Sequence, residues 1–249
     1  MENPLMKTTT LRFRPGTIDA VVYRHVVTEN EYRIPDQLDP DGLILDVGAH
    51  IGCFSTLCWS AGARRIEAFE ADPANAALAR ENLASTTVSV IEKAVWRSDR
   101  TDEVLRHSGY PAMRPDGPDP VAINTGGGHV FASEGLPVAA VSLDALIGER
   151  QVALLKLDCE GSEFPILLTS RRLAQVRRIV GEYHIRYQVP PALALEGVEH
   201  FTPGVLVDHL ARQHFRVEIC PHPDPRFSAE VGTFFADNLS DAGVTPLPR

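Results

Sequence analysis

The chain reads as an α/β protein: a doubly wound, mostly parallel sheet with helices on both faces. Three observations predict this. Apolar runs of strand length alternate with helix-compatible stretches along most of its 249 residues. The run Leu43 to Val47 stops at a glycine-spaced turn, Gly48-Ala49-His50-Ile51-Gly52, and opens into a helical stretch. Two later runs end in ionisable groups, at Glu70 and at Lys156-Leu157-Asp158, where open α/β sheets bind their ligands.

The elements follow in order. Residues 1–40 alternate weakly, as in Leu11-Arg12-Phe13-Arg14, and predict a short strand pair or an N-terminal cap. Leu43 to Val47 is apolar apart from Asp46, as suits a buried parallel strand. A helix is expected from Gly52 to Ala61 and a second strand from Arg65 to Glu70. Asp72 is a good N-cap with Pro73 at the first helical position, and the helix runs to Asn82-Leu83. Val88 to Val95 predicts the third strand.

Residues 106–137 break the rhythm with five prolines and the run Gly126-Gly127-Gly128, and are expected to be a mobile lid or acceptor loop. Ser142 is placed to cap a short helix through Ile147. Val152 to Leu157 and Val176 to Tyr183 predict strands four and five, with a helix from Ser162 to Leu173 between them. Pro165 is tolerable there because it falls in the first turn. Pro203 to His214 predicts the last helix. Arg216 to Cys220 and Gly232 to Ala236 predict a terminal antiparallel pair. The main domain is therefore expected over 41–240, with a C-terminal tail over 241–249.

Composition narrows the function. A net charge of −9 with few lysines argues against a nucleic-acid footprint. No apolar run reaches bilayer length, and Met1 to Thr10 has no hydrophobic core of a secretory leader. The four cysteines form no C-x-x-C pair and read as reduced thiols of a cytoplasmic protein. Oligomeric state is not legible.

The turn after the first strand carries chemistry. The pattern is D-x-G-x-x-x-G, with Asp46 where a dinucleotide fold has its first glycine. A pyrophosphate disfavours a carboxylate there, whereas a cationic, phosphate-free nucleoside such as S-adenosylmethionine (SAM) tolerates it. Glu70 is expected to hold the ribose hydroxyls. Asp46, Gly48, His50, Gly52, Glu70, Ala94 and Asp158 form the expected cofactor-binding set.

The second constellation is Lys156-Leu157-Asp158-Cys159-Glu160-Gly161-Ser162-Glu163, one strand before Glu182-Tyr183-His184. Strand alternation sends Lys156, Asp158 and Glu160 to one side if the extended backbone persists. Glu163 reads as the most dispensable member, since a first-turn acid stabilises any helix.

These residues resemble the FkbM-type family of SAM-dependent methyltransferases. The resemblance rests on Glu31-Tyr32-Arg33-Ile34-Pro35, Asp46 to Gly52, Ala68-Phe69-Glu70-Ala71-Asp72-Pro73 with Asn75 and Asn82, Lys156 to Glu163, and Glu182-Tyr183-His184, and covers roughly residues 30–240. The family's usual Phe-Glu-Pro has Ala71 in place of its proline. The resemblance implies a Rossmann-like class I methyltransferase fold of seven strands, with methyl transfer to a hydroxyl of a polyketide, sugar or similar small molecule. An N-methyltransferase is the alternative, and an NAD-linked oxidoreductase on the same sheet is a second.

A hydroxyl acceptor must lose its proton, so a base or a metal is needed. Glu160 and His184 are the candidate bases, with Lys156 and Asp158 completing the expected catalytic set. Asp158 and Glu182 end adjacent strands, and their charges repel unless a cation lies between them. Lys156 is the favoured cation, which makes the cluster metal-free; Mg²⁺ held by Asp158 and Glu182 is the alternative.

Overall fold

The computed structural model describes residues 11–101, 103–109 and 123–240. The expected tail over 241–249 and the middle of the 106–137 loop lie outside the described residues.

Ten strands and six α-helices make up the described chain. Strand β1 is Leu43–Val47, β2 Arg65–Glu70, β3 Ser89–Glu92, β4 Ala94–Trp96, β5 Val104–His107, β6 Leu136–Ser142, β7 Leu154–Leu157, β8 Arg178–His184, β9 Phe215–Pro221 and β10 Val231–Asn238. Helix α1 is Asp19–Tyr23, α2 Cys53–Ser60, α3 Pro73–Asn82, α4 Leu143–Ile147, α5 Glu163–Thr169 and α6 Pro203–Arg212.

Seven strands form one sheet in the order β3-β2-β1-β7-β8-β10-β9. The first five are parallel, and β10 runs antiparallel between β8 and β9. This is the expected mostly parallel sheet with its antiparallel terminal strand. Order reverses at β1, which pairs with β2 on one side and β7 on the other, so the loops after β1 and β7 face one crevice.

Alternation along β1 divides the core. Leu43, Leu45 and Val47 join the cluster on one face with Leu155, Leu157 and Ile179, while Ile44 joins the other with Leu154, Val180 and Phe54. Asp46 shares the second face, and its register partner on β7 is Lys156.

Several boundaries follow the expected signals. The Asp72 carboxylate accepts from the backbone N–H of Ala74 and Asn75, with Pro73 opening α3. The Ser142 hydroxyl accepts from Ala145 N–H and starts α4. Pro165 lies in the first turn of α5.

Others differ. Among the described residues of 1–40 there is no strand pair: the segment is a cap made of α1 and a π-helical turn over Arg24–Thr28. The expected third strand is split. Lys93 N–H turns back to Ile91 carbonyl, and Ala94–Trp96 leaves the main sheet to pair with Ala140–Ser142. A small second sheet, β4-β6-β5, results. Helix α5 stops at Thr169, because Ser170 is extended and its hydroxyl donates to Asp144, leaving a 3₁₀ turn over Leu173–Gln175.

Candidate functional site

A cavity of about 360 Å³ opens where the loops after β1, β2, β7 and β8 converge under the N-terminal cap. This is the size of a small-molecule site. Of the expected cofactor residues, Gly48, His50, Glu70, Ala94 and Asp158 line it; Asp46 and Gly52 do not.

Asp46 is fully buried behind the cavity. The Ser55 hydroxyl donates to it at 2.7 Å and the Lys156 ammonium stands 3.4 Å away. Its charge is matched inside the protein, so it supports the turn rather than facing a ligand. Gly52 adopts φ +91° and packs on Leu83, where a Cβ would lie 2.8 Å from Cδ1. Gly48 adopts φ +77°, and a Cβ there would fall 1.7 Å from the Asp158 carbonyl oxygen. The close approach that requires this glycine is therefore from the chain itself, not from a ligand.

Glu70 closes β2. Its two carboxylate oxygens accept one backbone N–H each, from His50 at 2.7 Å and Asp72 at 2.9 Å. Each oxygen keeps acceptor capacity for a donor in the cavity. Burial raises the carboxyl to about 7. The turn holds His50 at φ +51°. Burial drops the imidazole to about 4, so it is neutral.

His50 leads to a network absent from the expected site. Its Nε2 lies 2.9 Å from the Thr125 hydroxyl, which donates to Asp19. Arg14 donates to both Asp19 oxygens and to Asn75, whose amide donates to Thr125 carbonyl. Burial works against the Asp19 charge, but Arg14 and Thr125 hold it at about 2. Residues from the cap and from the loop before β6 are thus latched onto the turn after β1. The expected lid loop contributes Asn124, Thr125, Gly126, Gly128 and Val130 to the cavity wall.

On the other side, Asp158 and Glu160 line the cavity, joined by Glu182 and by Glu31 from the cap. Tyr32 donates to Asp158 at 3.1 Å. The extended backbone does not persist beyond β7: Glu160 and Gly161 have φ of +55° and +100°. Burial, with Asp158 second, lifts Glu31 to about 7 and Glu182 well above the carboxylate range.

Lys156 and His184 lie behind this wall and do not line the cavity. The Lys156 ammonium donates to Gly48 carbonyl at 2.6 Å, with Asp158 at 3.8 Å. Burial alone would favour the neutral amine, but Asp46 and Asp158 hold the proton more strongly than usual. Lys156 therefore bridges Asp46 and Asp158, correcting the expected bridge between Asp158 and Glu182. His184 has Glu163 at 3.3 Å from Nδ1, and Glu160 at 3.3 Å and Glu182 at 3.5 Å from Nε2. Burial would lower it, yet the Glu163 and Glu160 charges raise it well above the usual imidazole range. The second candidate base, His184, thus stands behind Glu160 and Glu182 rather than on the cavity lining.

Glu163 is also not dispensable. It is fully buried, and it accepts backbone N–H groups from Cys159 at 2.8 Å and Gly161 at 3.0 Å. Burial opposes its charge, but His184 and these donors hold the carboxyl below its usual range. It is the anchor of the turn after β7. One donor atom from each of Asp158, Glu182 and His184 lies within 4.8 Å of the other two, so these residues could hold a cation. No helix among the described residues is long and apolar enough to cross a membrane.

Residues 46–216 match the family model described as the Methyltransferase FkbM domain. No curated protein matches. Among solved structures, the chain is similar to a precorrin-6y C5,15-methyltransferase from Geobacter metallireducens GS-15. That likeness has 14% identity, covers 95% of this chain and 100% of that one, and has a TM-score of 0.43. It is similar to methyltransferase FkbM from Methylobacillus flagellatus KT at 15% identity, covering 94% of this chain but 48% of that one, TM-score 0.44. A third is a putative S-adenosylmethionine-dependent methyltransferase from Listeria monocytogenes, at 10% identity with 88% and 99% covered, TM-score 0.46. The family match leaves the oxidoreductase alternative without support.

Proposed function

This chain belongs to the FkbM methyltransferase family, and from that premise we propose that it transfers the methyl group of SAM to a hydroxyl on a small-molecule metabolite. The observation that carries the cofactor reading is Glu70. It is a buried carboxylate at the end of β2, held by two N–H donors with its remaining acceptor capacity beside the cavity. Ribose hydroxyls are the donors it suits. Gly48, His50 and Ala94 would frame the nucleoside. Bound there, SAM supplies a methyl group on a sulfonium leaving group.

The carboxylate wall supports an oxygen acceptor. A hydroxyl must shed a proton during transfer, whereas a neutral amine need not. Glu160 lines the cavity and is the group we assign to take that proton; Asp158, fixed by Tyr32 and Lys156, positions the acceptor. The apolar side of the cap, Ile18, Val21, Val22 and Val26, forms the facing wall. An acceptor with one polar edge and one apolar face fits between them.

The test is transfer of labelled methyl from SAM into metabolite extracts, with the product identified by mass spectrometry. An O-methyl ether is expected. An N-methyl product would move the assignment to the alternative acceptor. Absence of SAM binding in calorimetry would overturn the cofactor reading.

A further inference from the structure

We propose that the strand ends behind the acceptor wall bind a divalent transition-metal ion, with Asp158, Glu182 and His184 as ligands. The three donor atoms lie within 4.8 Å of one another, on the ends of the adjacent strands β7 and β8. The set contains a neutral-nitrogen donor type as well as two carboxylates. Glu160 is a further oxygen donor, 3.3 Å from His184 Nε2.

A second observation is independent of the acidic groups at the wall. His184 Nδ1 faces the Glu163 carboxylate at 3.3 Å. That carboxylate is fully buried and pinned by the N–H groups of Cys159 and Gly161. A metal-bound histidine characteristically offers its other ring nitrogen to a carboxylate, which fixes the tautomer and the ring plane. Here that orientation leaves Nε2 directed at Glu160 and Glu182.

Charge matching points the same way. Lys156 is taken up by Asp46 and the Gly48 carbonyl, and Glu163 is taken up inside the β7 turn. The nearest basic groups left to the wall are His184, 3.3 Å from Glu160 and 3.5 Å from Glu182, and Lys156, 3.8 Å from Asp158. An imidazole among carboxylates suits a first-row transition ion better than Mg²⁺, which favours all-oxygen octahedra, and Mn²⁺, at home with the carboxylates, serves as its paramagnetic probe. The ion would act as a Lewis acid at the acceptor wall, so its catalytic meaning rests on the methyl-transfer reading, whereas its binding does not.

The experiment titrates chelator-stripped full-length protein with Mn²⁺ alone, following loss of the free-ion electron paramagnetic resonance signal. One ion per chain is expected, and spin-echo modulation on the parent protein should show one coupled imidazole nitrogen. Glu182→Gln and His184→Gln should each weaken binding by about tenfold or more, on the scale of perturbed metal shells. Asp41→Asn, at the opposite end of the sheet, should leave it unchanged. No signal loss, no nitrogen coupling, or equal binding in all variants would overturn the proposal. The nitrogen signal needs no variant, so misfolding of one does not blunt the test. SAM calorimetry on the stripped protein reports separately on the cofactor reading.

Discussion

Replacing Gly48 with alanine should damage the fold before it affects any ligand. The residue sits at φ +77°, in the left-handed region where a Cβ costs about 1–2 kcal/mol. The added carbon would lie 1.7 Å from the Asp158 carbonyl oxygen, so the turn after β7 must retreat by more than an ångström. That movement breaks the 3.1 Å bond from Asp158 N–H to Val47 carbonyl and disturbs the 2.6 Å bond from Lys156 to Gly48 carbonyl. With about 1 kcal/mol for the neutral bond and more for the charged one, the total is about 4–6 kcal/mol. Whole domains have about 5–15 kcal/mol of stability. The assay is thermal unfolding by circular dichroism without ligand, where a fall of roughly 10–20 °C is expected for a chain of this length. A variant that melts like the parent but fails to bind SAM would refute the reasoning, because it would mean that the glycine clears space for the ligand rather than for Asp158.

Glu70→Gln should weaken SAM binding by about 1–3 kcal/mol in calorimetry, since the ribose hydroxyls lose a charged acceptor. In the parent, burial holds the Glu70 carboxyl at about 7. SAM affinity should therefore fall as pH drops below 7, and Glu70→Gln should flatten that profile. The sign for stability is opposite: the folded state binds this proton more tightly than the unfolded one, so Glu70 contributes less stability as pH rises from 4.5 to about 7. Glu163→Ala should cost about 3–5 kcal/mol in chemical denaturation, because it strands His184 and two N–H donors in a buried turn; a loss under 1 kcal/mol would return Glu163 to a surface-helix role. Glu160→Gln should lower kcat in steady-state assays with little change in SAM affinity, and an unchanged kcat would remove it as the proton acceptor.

The parts of the fold with local causes were legible in the sequence. β1 is a buried run apolar but for Asp46, β2 buries Ile66, Ala68 and Phe69, α3 has its cap in Asp72-Pro73, and the terminal hairpin joins two strands through a proline-rich loop. The split of the third strand was not, because Ser89 to Trp96 is continuous in sequence pattern and only Ala140–Ser142, some fifty residues later, draws its end away. The site shows the same division. Glu70 and Gly48 were visible from spacing to the preceding strands. Asp19, Arg14 and Thr125 were not, since they meet only when the cap and a distant loop fold over His50. Glu163 carried a misleading signal: an acid in the first turn of a helix has a sufficient local explanation, and nothing local reveals that the turn before it folds back to donate two N–H groups.

The two strand-end motifs are a single device rather than two neighbouring ones. Register places Asp46 beside Lys156, so the motifs share a buried ion pair beneath the cavity. Lys156 then donates to the Gly48 carbonyl while the Asp158 carbonyl fills the space where Gly48 lacks a side chain. A shift in either turn moves the other. The consequence is functional: Glu70, reached through His50 N–H, and Asp158, reached through Gly48, are held in fixed relation across the crevice. Cofactor pocket and acceptor wall are positioned by the same contacts, which is what in-line transfer between two bound molecules requires. Charge is partitioned to match. Behind the wall, Lys156 stands between Asp46 and Asp158, and His184 between Glu163 and the pair Glu160 and Glu182, while Asp158, Glu160 and Glu182 line the cavity.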